Sequence, residues 1–461
     1  MSPYIALFIC IVGIGGLFFL DRDTSVRNSK ALWLPVIWLW IVGSRPVSDW
    51  FGIAPTADVD VQLHGSPVDR FVFSVLLAAG IVVLIRRRSR TTAFLRASWP
   101  ILIYLAFCLL SVLWSDFPFI AFKRWTKAIG DLVMVLIVVT DAEPAAALRR
   151  FLSRTGFVLL PPSILLIEYF PALGRAPFSA GRLMNTGVTT HKNWLGVIAL
   201  VLSLGALWRV FTLLQARGLP NRGRHLLAQG TLLAFGVTVL VMAHSATSGA
   251  CFALGAVLIL ATHLPAIRRR PGAVHVLLLM IMLAGGLTML FGGEAAAVHT
   301  LGREMDPYGR TEIWAAVLPV VPNRLVGAGF ESFWLGPRLA RIYQNGLRCG
   351  LTPYLHLNEA HNGYIEVYLN LGWVGVGLIA IVLIGAYKRA VAAFRCDPVT
   401  GSLMLAYVAA AASYSITEAG FRLLDPIWIF LLLAVVAAGG IGASVGAGAP
   451  EHLRASLQEG F

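Results

Sequence analysis

Long apolar runs and short polar intervals alternate along the whole chain. The apolar runs fall at 3–20, 31–43, 71–85, 99–114, 119–140, 151–170, 194–214, 226–243, 250–264, 273–291, 364–387, 402–418 and 426–445. A helix of about 17–25 such residues crosses the ~30 Å hydrocarbon core of a bilayer. Inside lipid, a spanning helix satisfies its own backbone hydrogen bonds. The pattern therefore predicts an all-α polytopic membrane protein with about 12–13 transmembrane helices. Pro161 and Pro162 predict a kink in the sixth run, because each removes a helix donor. The first run has no Lys or Arg ahead of it and no small-x-small site after it, so it reads as a retained span rather than a cleaved signal.

Charge orients these runs. Basic clusters at Arg86, Arg87, Arg88 and Arg90, at Arg149 and Arg150, at Arg217, Arg222 and Arg224, at Arg268, Arg269 and Arg270, and at Lys388, Arg389 and Arg395 all fall on one side if the runs cross in turn. That is the positive-inside pattern of a bacterial inner-membrane protein. It predicts a periplasmic placement for Arg182, His191, Lys192, Ser245, Arg303, Arg310, Arg338, Arg341 and His361. The implied division is an N-terminal transmembrane bundle over 1–291, a large periplasmic loop with short helices over 292–363, and C-terminal transmembrane helices with a cytoplasmic tail over 364–461.

Composition narrows the class. The chain is 57% hydrophobic and 13% charged, with mean hydropathy +0.76, which excludes a soluble enzyme. The net charge of +14 resides in the inter-span clusters, so it points to a membrane surface and not to nucleic acid. Five scattered cysteines imply neither a disulfide framework nor a thiolate metal site.

The longest polar interval, with the span after it, runs over 302–377 and holds the candidate chemistry. Arg310 opens GRTEIW; its planar fork matches phosphate oxygens two at a time, and the alternative is a structural ion pair to Glu312 or Glu331. GAGF, residues 327–330, is a turn that permits close backbone approach. Arg338, Arg341 and Arg348 form one face of an amphipathic helix suited to headgroups or to an anionic glycan lipid. Asn362 is expected to cap the next helix, with Glu366 suiting its dipole. His361 has no such local explanation, and neutral imidazole accepts a proton from a hydroxyl near pH 7. Arg182 and His191-Lys192-Asn193 flank a second outer loop, with Asn193 the expected cap of the following helix. Asp58, Asp60, His64 and Asp69 offer hard ligands, against the plainer reading of a solvated loop. A transporter of lipid-linked glycans is the alternative of another class; its intramembrane carboxylates would be Asp131 and Glu168.

LWSDFP with the KRW that follows, the HKNWLG loop, the SATS turn, GRTEIW with GAGFESFW, and AHNGYIEVYLNLGWVGVG together resemble the O-antigen ligase and polysaccharide polymerase superfamily over about residues 30–442. The resemblance implies a GT-C-like fold and a metal-independent inverting glycosyltransferase that needs no cofactor. It would transfer an undecaprenyl-pyrophosphate-linked glycan on the periplasmic face. The acceptor would be a lipid-linked glycan in a polymerase or lipid A-core in a ligase, and a chain-length regulator is a possible partner. By the same resemblance Arg310 contacts the donor pyrophosphate, His361 lies at the reacting centre and Arg182 is a further phosphate ligand. Lys192, Asn193, Ser245, Arg303, Trp314, Arg338, Arg341, Asn362 and Glu366 complete the candidate substrate-binding set. Ligases of this kind commonly carry an arginine directly after a serine where this chain has Ser245-Ala246-Thr247-Ser248. That departure, with the HKN loop and an early SRP, favours the exopolysaccharide-polymerase branch.

Overall fold

The computed structural model describes residues 1–23, 29–53, 65–177, 182–216, 218–269, 272–276, 278, 280, 310–350 and 357–446. Among them the chain is almost wholly α-helical, with one two-stranded antiparallel hairpin pairing Arg175–Pro177 with Leu183–Asn185. Among the described residues, seven helices are long and apolar enough to cross a membrane, or up to eight counting Arg88–Ala97 and Trp99–Trp114, which meet at an 85° bend, as one broken span. Other predicted spans fold as the shorter apolar helices Lys30–Val42, Ala246–Thr262 and Pro426–Gly440. The helix Pro118–Val139 carries Lys123, Arg124, Lys127 and Asp131 within an apolar sequence. The predicted run at 273–291 lies mostly outside the described residues.

Burial separates centre from periphery. Lys192–Gln215 and Pro398–Thr417 each have 72% of their most apolar window buried, against 11% for Pro3–Leu20. The central helices are joined by polar groups that have no partner in lipid: Tyr407 donates to the Val201 carbonyl at 3.0 Å, and Trp208 Nε1 to the Val399 carbonyl at 2.8 Å. Such bonds and close packing supply specificity where lipid tails are as apolar as leucine. Pro144–Tyr169 continues through both Pro161 and Pro162.

The helix Gly363–Cys396 is 34 residues long and breaks at Gly372, whose φ is 63° and ψ −164°. In an unbroken helix the amides of Trp373 and Val374 would donate to the carbonyls of Leu369 and Asn370. Here they donate to Arg324 and Leu325, at 3.0 and 3.1 Å. The freed carbonyls accept from Ala328 and Gly329, at 3.1 and 2.8 Å. Backbone at 324–329 thus substitutes for one helical turn, and every exchanged group finds a partner. A Cβ on Gly327 would lie 2.4 Å from the Asn370 carbonyl carbon, so the GAGF turn needs its glycine.

The segment from Arg310 to Arg348 builds a small core of its own. Ile313, Ala316, Val317, Phe333 and Ile342 pack on Leu369 at the start of the broken helix. The amphipathic reading of Pro337–Arg348 holds in part: Ile342 and Gly346 are buried and Arg341 and Arg348 exposed, but Arg338 is only 10% exposed and Leu347 is exposed with the arginines.

Candidate functional site

The motifs quoted from separate parts of the sequence meet at one end of the bundle. LWSDFP and the Ser111 just before it pack against GAGFESFW and the Val326 just before that: Trp114 Nε1 donates to the Val326 carbonyl at 3.1 Å, the Phe330 amide donates to Ser111 Oγ at 2.9 Å, and Ser115 and Ser332 hydroxyls are 2.7 Å apart. The SATS turn reaches the end of Pro398–Thr417 through Thr247 and Thr417 hydroxyls 2.8 Å apart. Trp314 Nε1 donates to the Ala360 carbonyl at 2.8 Å, which joins the Arg310 helix to the loop before His361. His361 precedes the helix whose far end carries Lys388, Arg389 and Arg395, so the site and that basic cluster lie at opposite ends.

One carboxylate gathers the key groups. Glu418 Oε1 accepts from Asn193 Nδ2 at 3.0 Å and lies 3.5 Å from Arg310 Nη2; its Oε2 lies 3.2 Å from His361 Nδ1. Glu359 Oε1 stands 3.1 Å from the same His361 nitrogen. The other oxygen of Glu359 faces Arg422 Nη1 at 3.3 Å, and Arg422 Nη2 reaches Glu331 at 3.7 Å. Ionised carboxylates only accept hydrogen bonds, so in the neutral imidazole Nδ1 carries the hydrogen and Nε2 the lone pair. Burial alone would push the His361 pKa down. The hydrogen bond to Glu418 and the charges of Glu359 and Glu418 outweigh it, against the opposing charge of Arg310, and the pKa is raised. His191, buried near the same carboxylates, is lowered by that burial.

Arg310 is the guanidinium at this site with a donor to spare, as Arg175 and Arg389 have elsewhere. Its side chain is 33% exposed, yet its Nε is buried and has no hydrogen-bond partner among the described residues. Native proteins seldom leave such a donor unsatisfied, and a phosphate oxygen would satisfy it. His361 itself has φ 47°, and Glu331 has φ 52°. Side-chain-bearing residues held in this left-handed region store strain that the surroundings must impose, and such strain clusters at functional sites.

The remaining candidates divide. Asn362 caps Gly363–Cys396 as expected, accepting from the Tyr364 and Ile365 amides at 3.0 Å, and its Nδ2 holds the Ile416 carbonyl at 2.9 Å. Glu366 is 2% exposed and occupied by Trp334 Nε1 at 2.7 Å, the Ala360 amide at 3.0 Å and Asn370 Nδ2 at 3.2 Å. It fastens the scaffold. Arg338 is paired with Asp116 and packed over Phe333, while Arg341 is exposed on the same helix. Ser245 caps Ala246–Thr262. Arg182 is exposed at the hairpin, and Lys192 begins its helix. Arg303, Asp58, Asp60 and His64 lie outside the described residues. Asp69 accepts from the Ser48 amide and hydroxyl at 3.1 and 2.7 Å, a structural use.

Two expectations are corrected. His191, not Asn193, caps Lys192–Gln215: its Nδ1 accepts from the Asn193 amide at 3.3 Å, which frees the Asn193 side chain to reach Glu418. Arg310 pairs with neither Glu312 nor Glu331 but with Glu418; Glu312 instead accepts from the Thr311 hydroxyl at 2.8 Å. Glu418, Glu359 and Arg422 were not singled out from sequence, and Glu331 only as an ion-pair partner for Arg310. A signal existed for Glu418: it is the C-cap of Pro398–Thr417, where a carboxylate opposes the helix dipole.

Glu359, His361 and Glu418 also place one ligand atom each within 4.8 Å of one another, a spacing that suits a metal ion. The two carboxylates already face Arg310 and Arg422, however, and those fixed positive charges oppose a further cation.

Fold and site together define a multi-pass, all-α membrane protein with a mixed-charge, strained site at the helix ends. The chain is distantly related to the exopolysaccharide production protein ExoQ of Rhizobium meliloti (strain 1021), with 24% identity over 295 residues. The match covers 61% of this chain and spans 62% of that protein's length. No protein-family model matches the chain.

Proposed function

We propose that this protein is a membrane glycosyltransferase that polymerises exopolysaccharide from an undecaprenyl-pyrophosphate-linked glycan on the periplasmic face of the bacterial inner membrane. The observation that carries the reading is Arg310: a guanidinium with a buried, unsatisfied donor shares one carboxylate with a strained histidine whose Nε2 is a base. The distant likeness to an exopolysaccharide production protein supports the polymerase branch over a ligase.

The reaction is a single inverting displacement. The acceptor hydroxyl attacks the anomeric carbon, its proton passes to His361 Nε2, and the bond to the lipid pyrophosphate breaks with the electron pair leaving on oxygen. That leaving group needs no proton, so the larger demand is for positive charge beside it. A preorganised guanidinium away from bulk water supplies several kcal/mol of such stabilisation, on the order of 3–4. The donor's polyprenyl tail stays in the lipid.

The test is incubation of the purified full-length protein in detergent with an undecaprenyl-pyrophosphate-linked repeat unit, with and without lipid A-core. Polymerase activity lengthens the glycan without lipid A-core. Product formed only on lipid A-core makes the protein a ligase, and an unchanged donor removes the transferase reading.

A further inference from the structure

We propose that Glu418 is the positioning residue of this site, holding Arg310 and His361 on its two oxygens and fixing the imidazole with hydrogen on Nδ1 and the lone pair of Nε2 turned to the acceptor hydroxyl. This rests on the transferase reading above and adds a residue that neither the motifs nor the comparison assigned.

Local structure does not account for Glu418. It ends Pro398–Thr417, where the helix dipole disfavours negative charge, and its side chain is 7% exposed. Burying a carboxylate there is compensated by convergence: Asn193 and Arg310 on Oε1, His361 on Oε2. The charged or titratable groups acting on His361 are Glu359, Glu418 and Arg310, and His191 is close enough to feel its charge. The two carboxylates are not equivalent. Glu359 shares its charge with Arg422, itself held by Glu331, whereas the second oxygen of Glu418 meets a neutral amide and a loosely placed Arg310 at 3.5 Å. Glu418 is therefore the carboxylate better able to stabilise the imidazolium formed when the hydroxyl proton arrives. Arg310 stays close enough to be aligned, and loose enough to take a phosphate oxygen in exchange.

The test is a histidine-selective ¹⁵N titration of the full-length protein in detergent. The His361 signal is identified by its loss in His361→Gln. The pH–rate profile of transfer from an undecaprenyl-pyrophosphate-linked repeat unit is measured beside it. The wild type is expected to show the Nδ1-protonated neutral tautomer and a midpoint above the ordinary ~6.5. Glu418→Gln is expected to lower that midpoint, shift the acid limb of the rate profile by the same interval, and slow transfer about 10–100-fold. That loss is smaller than the ~10⁴-fold seen when the orienting aspartate of a serine-protease triad becomes asparagine, because Glu359 remains on Nδ1. Glu418→Asp keeps the charge on a shorter arm, so its midpoint should fall between the two, and it serves alone if the glutamine variant does not fold. An unmoved midpoint and tautomer in the variant that folds overturns the assignment, whatever the activity. A midpoint that moves in the variants while the wild type transfers no glycan instead removes the transferase reading and the catalytic meaning of Glu418 with it.

Discussion

Asp131 accepts the backbone amide of Leu424 on Oδ2 at 2.9 Å, while its Oδ1 accepts Trp38 Nε1 at the same distance. A fully buried carboxyl group inside the bundle thereby anchors the loop that carries Arg422 and follows Glu418. Leu424 has φ 56°, so the anchor also holds a left-handed backbone in place. An intramembrane acid is usually read as part of an ion path. Here both oxygens are used to hold protein.

Asp131→Ala should consequently lower stability, because it leaves two buried donors without acceptors. Each costs about 1–3 kcal/mol, so the loss should be on the order of 2–6 kcal/mol. Denaturation of the detergent-solubilised variant measures it, and wild-type stability in Asp131→Ala would return the residue to the list of transport candidates.

Arg310→Ala should reduce transfer by roughly 10²–10³-fold, as expected for removal of a donor that stabilises transition-state charge. Arg310→Lys should recover little, because an ammonium lacks the planar fork. Single-turnover rates with a lipid-linked repeat unit distinguish this from a binding defect, and full activity in the lysine variant would argue against bidentate contact.

His361→Ala should cost at the low end of the roughly 10²–10⁴-fold range of a general base, less than Arg310→Ala, unless deprotonation limits the rate. The base is the neutral imidazole, so transfer should rise with pH through the raised His361 pKa and fall on its acid side. For stability the sign is opposite. The folded state binds this proton more tightly than the unfolded chain, so that contribution is complete below about 6.5 and disappears as pH climbs through the folded value. Kinetic and melting profiles over the same range should therefore move in opposite directions.

Gly372→Ala should destabilise the broken helix. Its φ is 63°, and an added Cβ would lie 2.2 Å from the Leu325 carbonyl carbon. The left-handed backbone alone costs about 1–3 kcal/mol, and the backbone clash adds to it. Loss of monodisperse protein or a lowered melting temperature is the expected result, whereas an unaltered melt would mean that the turn at 324–329 tolerates displacement.

Chelation should leave transfer unchanged, since Arg310 and Arg422 compensate the carboxylates that a divalent ion would need. The assay is transfer after EDTA treatment with and without added Mg²⁺ or Mn²⁺. Activity lost to EDTA and restored by either ion would convert Glu359, His361 and Glu418 into a metal site.

The sequence by itself determined the membrane class, the helices and the capping of Gly363–Cys396 by Asn362, because each depends on residues within a few turns of one another: an apolar run of spanning length, or a side chain two or three positions from the amide it binds. It also named Arg310 and His361 by their chemistry. Only the tertiary structure decided that Glu418 joins them, that His191 takes the cap expected of Asn193, and that the 324–329 turn exchanges hydrogen bonds with a helix broken at Gly372. The physical reason is that helices in lipid are not ordered by hydrophobicity, which is the same on every face that meets an acyl chain. Their arrangement follows from close packing and from polar groups seeking partners across loops far apart in the chain, and no local pattern specifies which distant partner each group finds.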